Sequence, residues 1–517
     1  MSFHSILFGI NEDRPLEEEA PAFFHDLNLD QIIEAITQDK QEYNLKPFYY
    51  TSVDHDIIVY RQEIMKDLEN PVVYDSVQSF AEGLRLMDKH LNQAEKLYYQ
   101  LQKKAWFLDA IAIYCEAVNH LADCLIQIEL QSRGFLAFRE FVTHYCGSEE
   151  FRSLRSDTSK LKWDLNSIKY CLLIDGNKSR IRQNAVCIEV RPYKGEVDYS
   201  SMVEATFEKF KQGAVKNYQM QYTDQPNMNQ VENGILELVA QLNPDIFINL
   251  DNYYKNRQNY MDETISAFNR EIQYYIAYLD FIVQFKEAGL KFCYPKIIDQ
   301  TKEIYNSDGF DLALANKLIQ SDAMVVCNDF YLRDKERILV VSGPNQGGKT
   351  TFARTFGQIH YLASIGLTVP GREAQLFMFD RLFTHFEKEE SISNPGGKLH
   401  DDLLRIKDIL RQSTSNSIII MNEIFTSTTL NDAVFLSKKI LAEIIELDIL
   451  CVWVTFIDEL SSLSEKTVSM VSMVYPENPS IRTFKIARRT ADGLSYAISI
   501  AEKYGLTYQR LKERLKT

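Results

Sequence analysis

Residues 340–354 read Val-Val-Ser-Gly-Pro-Asn-Gln-Gly-Gly-Lys-Thr-Thr-Phe-Ala-Arg. The run Gly343, Pro344, Asn345, Gln346, Gly347, Gly348, Lys349, Thr350 fits G-x-x-x-x-G-K-[ST] at every position, and Thr351 follows. Its flanks fit as well. "ERILVV" before it is a strand pattern, and "TTFARTFGQIHYLASIG" after it is a helix pattern. Such a loop is a phosphate cradle: glycines let backbone N–H groups turn inward without Cβ clashes, and the helix N-terminus adds partial positive charge. Lys349 is placed to bridge the β- and γ-phosphates of a bound nucleotide, and Thr350 to offer a hydroxyl to Mg²⁺.

Working outward, "LFMFDRLFTHF", "SIIIMNE", "DILCVWVTF" and "VSMVSMVYPE" are short apolar runs with helical patterns between them. Continuous apolar strands alternating with helices predict an α/β domain with a mainly parallel sheet from about Asp322 onward. "SIIIMNE" ends in Asn422-Glu423. A phosphate-loop enzyme needs an acidic group at such a strand end, so Glu423 is the candidate to orient the attacking water. Asn422 can hydrogen-bond a metal-bound water but brings no charge.

Upstream the pattern is helical. "LDQIIEAI", the segment from Ala81 to Leu130 and "GFLAFREFVTHYC" carry apolar residues at three- and four-residue spacing. "YCLLIDGNKSRIRQNAVCIEVRPY" switches to alternation about Gly176-Asn177, a hairpin signal. Eight Lys/Arg against three Asp/Glu between Arg152 and Arg182 read as a solvated basic face or as a nucleic-acid contact. Residues 253–289 have the length and spacing of one long returning helix. Its tyrosines, Tyr253, Tyr254, Tyr260, Tyr274, Tyr275 and Tyr278, read first as helix packing and second as base-stacking groups.

With 517 residues the chain predicts several domains, and a net charge of -15 argues against wrapping nucleic acid by bulk charge. The eight cysteines form no CxxC pair, as in a reducing cytosol. No run reaches membrane-spanning length, and the N-terminus has no signal-peptide core, so a cytoplasmic protein is expected. The nine histidines show no metal spacing; His360, His385 and His400 read as surface or second-sphere groups.

"GPNQGGKTTFAR", "IGLTVPGREAQLFMFDRLFTHF" and "IIIMNEIFTSTTLNDA" together resemble the MutS family of DNA mismatch-repair ATPases. "DGLSYAISIAEKYGLTYQRLKERL" is similar to that family's C-terminal helical dimerisation element, and "IIVYRQEIMKDLENPVVYDSV" to the start of its helical core. The resemblance implies a helical core over residues 1–200 and a lever with short clamp helices over 201–290. A connection over 291–321 and an ABC-like P-loop ATPase domain over 322–517 would follow. It implies ATP and Mg²⁺ as cofactors, a homodimer, and mismatched, branched or otherwise distorted DNA as partner. Gly397 and Lys398 in "SISNPGGKLHDDLL" align with the loop that crosses to the partner's nucleotide. Three departures stand out. No N-terminal mismatch-reading or connector domain is recognisable; Asn422 replaces an aspartate; and Phe456 takes the place of a nucleotide-sensing histidine. A MutS-like DNA-binding ATPase is therefore the first expectation, and a slow or non-hydrolysing ATP switch that recruits a protein the second. A transporter ATPase is disfavoured, since no Leu-Ser-Gly-Gly-Gln signature occurs.

Overall fold

A computed structural model describes residues 3–9, 15–175, 187–193, 228–387, 397–475 and 477–490, with Tyr508 and Lys512 singly. The chain divides into two compact units. The first comprises Met1–Phe3, Leu68–Gln131 and Phe135–Asn269; the second comprises His4–Asp67, Ser132–Gly134 and Arg270–Thr517.

The first unit is helical. Pro71–Lys96 and Gln100–Gln127 are two long helices packed along each other. Pro71 opens the first at a position where its missing N–H costs nothing, and the Asn70 side chain caps it by accepting from Val72 N. A Cβ on Gly83 would lie 2.9 Å from that of Ala117, so the two helices approach closely there. Glu149–Ser167 starts from a Ser148 cap and carries two acidic residues in its first turn. Tyr170–Asp175 and Cys187–Pro192 pair antiparallel, with Tyr170 opposite Pro192. The turn read at Gly176-Asn177 lies outside the described residues, as do residues 201–227 and, apart from Tyr508 and Lys512, the C-terminal helical element. The long returning helix is in fact two, Pro244–Asn256 and Glu263–Glu287. Asp262 restarts it, its carboxylate accepting from Thr264 N and Ile265 N at 2.8 and 3.2 Å.

The second unit holds the α/β layer. Its main sheet consists of β1 (Ile338–Ser342), β2 (Leu382–Phe386), β3 (Ile418–Asn422), β4 (Leu450–Val454), β5 (Thr467–Tyr475) and β6 (Asn478–Arg488). The order is β2-β3-β4-β1-β5-β6, parallel throughout except for the antiparallel β5–β6 edge pair. Every residue of β1, β3 and β4 is buried, which is why those runs are apolar without alternation. "LFMFDRLFTHF" does not form one strand. Glu373–Phe377 joins a separate four-stranded sheet, and the chain breaks at Asp380, whose carboxylate accepts from Thr414 Oγ1 and Ser417 Oγ. Helices α1 (Lys349–Ser364), α2 (Lys398–Gln412) and α3 (Leu430–Glu446) complete the layer.

The N-terminal helix Leu29–Thr37 and, as far as Asp67, the helix His55–Leu68 belong to this same unit. Arg61 is fully buried, donating to Leu7 O and Ile365 O at 3.1 and 2.8 Å. Tyr274, Tyr275 and Tyr278 are also fully buried, with hydroxyls on the carbonyls of Ile365, Ile6 and Thr368. For these three the packing reading therefore holds, and their rings offer no face to a base. No helix among the described residues is long and apolar enough to cross a membrane. Cys115, Cys124, Cys146, Cys171, Cys293, Cys327 and Cys451 are free thiols; burial pushes those of Cys115 and Cys451 up.

His360 and His385 are buried, not surface groups; His400 is exposed. His360 lies in α1 against Phe356, its Nδ1 within 2.8 Å of Phe356 O. Burial holds its pKa down at about 4. An unfolded histidine titrates near 6.5, so between those values the unfolded chain binds a proton that the folded chain refuses. Stability is therefore complete above pH 6.5 and is lost as pH falls toward 4, by about 1.4 kcal/mol per unit. In urea titrations, His360→Phe should lose about 2 kcal/mol less than wild type between pH 7 and pH 5. Equal losses would remove His360 as the cause.

Candidate functional site

The turn from β1 into α1 is shaped by backbone that few residues adopt. Gly343, Gln346 and Gly348 have φ of 118°, 58° and 92°. Gly347 is fixed by space instead: a Cβ there would sit 2.2 Å from Ser472 Oγ and 2.9 Å from Pro344 O. Ser472, on β5, donates to Gly347 O at 2.7 Å and ties the loop to the neighbouring strand. On the other side Arg482 Nε, from β6, donates to Asn345 O at 3.2 Å. Gly347→Ala is expected to destabilise the protein by about 1–3 kcal/mol through this overpacking. Adding Ser472→Gly should recover part of the loss in urea denaturation. If the double variant is no better than the single, the Ser472 contact is not the cause.

Lys349 opens α1 with its ammonium buried. Nζ lies 3.2 Å from Gly343 O, 3.2 Å from Pro344 O, 3.5 Å from Asn345 Oδ1 and 3.5 Å from Glu423 Oε1. The face of the Phe456 ring, on the loop after β4, covers it at 4.6 Å. Burial lowers the Lys349 pKa, and the Glu423 charge works against that shift. Glu423 follows β3 in a left-handed conformation (φ 52°), its N–H held by Val454 O. That turn aims its carboxylate back at the loop.

Thr350 Oγ1 donates to Asn422 Oδ1 at 2.9 Å. Both are hard oxygen donors of the kind that magnesium takes alongside water and phosphate oxygens. The pair fits a magnesium ion carried on a phosphate, with one negative charge fewer than a carboxylate at 422 would supply. Among the described residues no cluster of three or more His, Cys, Asp or Glu could hold a metal alone. Thr351 continues the helix, its carbonyl accepting from Thr355 Oγ1.

Gly397 and Lys398 form a second group. Gly397 (φ 74°) precedes α2, and a Cβ there would meet nothing within 4 Å. Lys398 Nζ pairs with Glu387 Oε1 and lies 3.3 Å from Thr426 Oγ1, which itself donates to Glu387 at 2.8 Å. The Lys398 hydrogen bond lowers the Glu387 pKa. So the structure gathers the 343–351 loop, Asn422, Glu423 and Phe456 at one place, and engages Lys398 within its own chain. Sequence reasoning passed over Ser472, Arg482, Glu387 and Thr426. Only Ser472 left a trace, as a small polar residue inside an apolar strand.

Residues 339–514 match the family model described as MutS domain V. The DNA mismatch repair protein MutS of Thermotoga sp. (strain RQ2) is 27% identical over 219 residues, 41% of this chain and 27% of that protein. The DNA mismatch repair protein MSH3 of Eremothecium gossypii is 31% identical over 150 residues, 29% of this chain and 14% of its own length. The endonuclease MutS2 of Thermus thermophilus is 29% identical over 189 residues, 36% of this chain and 25% of its own. The matches thus span between 14% and 27% of these relatives' lengths.

Proposed function

From its membership of the MutS family, carried by the domain V match, we propose that this chain is a DNA-binding ATPase. ATP with Mg²⁺ binds the 343–351 loop. Two chains then close as a clamp on mismatched, branched or otherwise distorted DNA, in repair or in control of recombination. The observation that carries the reading is the Lys349 cage. A buried ammonium, ringed by loop carbonyls at distances long for charge-assisted bonds, faces Glu423 at a strand end. Lys349 binds the β- and γ-phosphates, the loop amides bind their oxygens, and Glu423 positions water. Thr350 and, through water, Asn422 hold the magnesium, which supplies charge neutralisation on the phosphates. In this reading residues 1–200 are the core, 201–290 the lever and clamp, 291–321 the connection and 322–517 the ATPase domain. Gly397 and Lys398 reach the partner's nucleotide after Lys398 leaves Glu387.

A gel-shift panel of homoduplex, mismatched and four-way DNA, with and without ATP, tests DNA binding. Retardation of a distorted duplex is expected; no retardation of any DNA in either condition sinks it.

A second reading is a slow or non-hydrolysing ATP-dependent switch that recruits a protein partner. Two observations favour it: the Thr350 hydroxyl meets a neutral amide at Asn422, and Phe456 offers only a ring face. Phosphate release separates the two readings.

A further inference from the structure

We propose that Phe456 is a positioning residue, whose ring face holds the Lys349 ammonium against Glu423 and yields it when a terminal phosphate arrives. The inference rests on the nucleotide-binding reading above and adds the means by which the bound state is sensed.

The argument begins with the ammonium. It has three N–H donors and four oxygen neighbours, at 3.2, 3.2, 3.5 and 3.5 Å. Charge-assisted hydrogen bonds run near 2.7–2.9 Å, so none of these oxygens grips it tightly. The remaining side is closed by the Phe456 face at 4.6 Å, within the range of a cation–π contact. Phe456 itself is 52% exposed, so burial of its own surface does not explain its place.

The loop that presents the ring is fixed to the site's own framework. Thr455 N donates to Val341 O at 3.0 Å, on the strand that feeds the phosphate loop, and Ile457 N donates to Thr455 Oγ1. The turn Asp458–Ser462 follows at once, and Lys438 Nζ of α3 pairs with Glu459 there. A phenyl ring cannot donate a hydrogen bond to a phosphate oxygen as an imidazole N–H does. It can compete for a cation. A γ-phosphate carries charge that outcompetes the ring for Lys349, and the freed ring passes the change to the 458–462 turn.

The test replaces Phe456 with Met, of comparable bulk but without a π face, and with Tyr, which keeps one. Lys349 acetylation by N-hydroxysuccinimidyl acetate, read by peptide mass spectrometry, reports the nucleotide-free contact. Titration with ATP reports the competition. Phe456→Met should label several-fold faster and bind ATP about two- to fivefold more tightly, since the competing contact is gone. Phe456→Tyr should restore both values toward wild type, which a purely steric role of residue 456 would not require. Wild-type labelling in Phe456→Met, or faster labelling without tighter ATP binding, overturns the proposal. A wild-type chain that binds no ATP instead sinks the nucleotide reading, and labelling then decides the Phe456 contact by itself.

Discussion

Lys349→Met should reduce ATP affinity by about two to four orders of magnitude, measured by titration with a fluorescent ATP analogue. The size follows from what the ammonium does. A hydrogen bond to a charged group contributes about 1.5–3 kcal/mol, and Lys349 is assigned one to each of two phosphates. Nothing nearby replaces it. Arg482 spends its Nε on Asn345 O, and Lys398 is engaged with Glu387 and Thr426. Methionine keeps the apolar stem that the burial of Lys349 requires and discards only the charge. The variant also leaves Glu423 without its ion pair, so a modest loss of stability is expected, and circular dichroism separates that loss from the binding defect. A folded Lys349→Met chain that binds ATP within threefold of wild type would end the nucleotide reading.

The sequence made some parts of this molecule plain and hid others, for physical reasons that can be named. The turn from β1 into α1 was legible because its determinants are local: its glycines and the lysine that opens the helix lie within nine consecutive residues. The buried strands β1, β3 and β4 were legible because full burial on both faces leaves an unbroken apolar run. The split of "LFMFDRLFTHF" between two sheets was not. It depends on Asp380 meeting Thr414 and Ser417, more than thirty residues away. The break before Glu263 was hidden in the same way, since an apolar helical stripe continues across it while the Asp262 cap interrupts the backbone.

The residues around the loop show the same division. Ser472 and Arg482 act on the loop through backbone carbonyls across strands, a pairing that sequence spacing does not encode. Phe456 was visible as a lost hydrogen-bonding position, yet its contact with Lys349 appears only once β4 lies beside β1. The inclusion of His4–Asp67 in the unit that holds the sheet has no local signature at all. It is made by buried groups such as Arg61 and Tyr49, which donate to Ile365 O and Tyr274 O far along the chain.

Phosphate release decides between turnover and switching, and Glu423→Gln carries the second large effect. If Glu423 positions the attacking water, the variant should lower kcat by about 10²–10⁴-fold while ATP affinity changes little. If the chain is a switch, wild type already releases phosphate at a negligible rate and Glu423→Gln changes nothing. Asn422→Asp sharpens the choice. It leaves an oxygen to accept from Thr350 and restores a negative charge beside the magnesium position. The cost is a carboxylate at a buried site, uncompensated in the metal-free protein. Asn422→Asp should therefore be less stable than wild type without Mg²⁺ and should recover when Mg²⁺ and ATP are added together. A rise of about tenfold or more in phosphate release would mean that the missing charge limits an otherwise competent site. An unchanged, negligible rate in a variant that binds Mg²⁺-ATP more tightly would mean that binding, not hydrolysis, is the function that the loop performs.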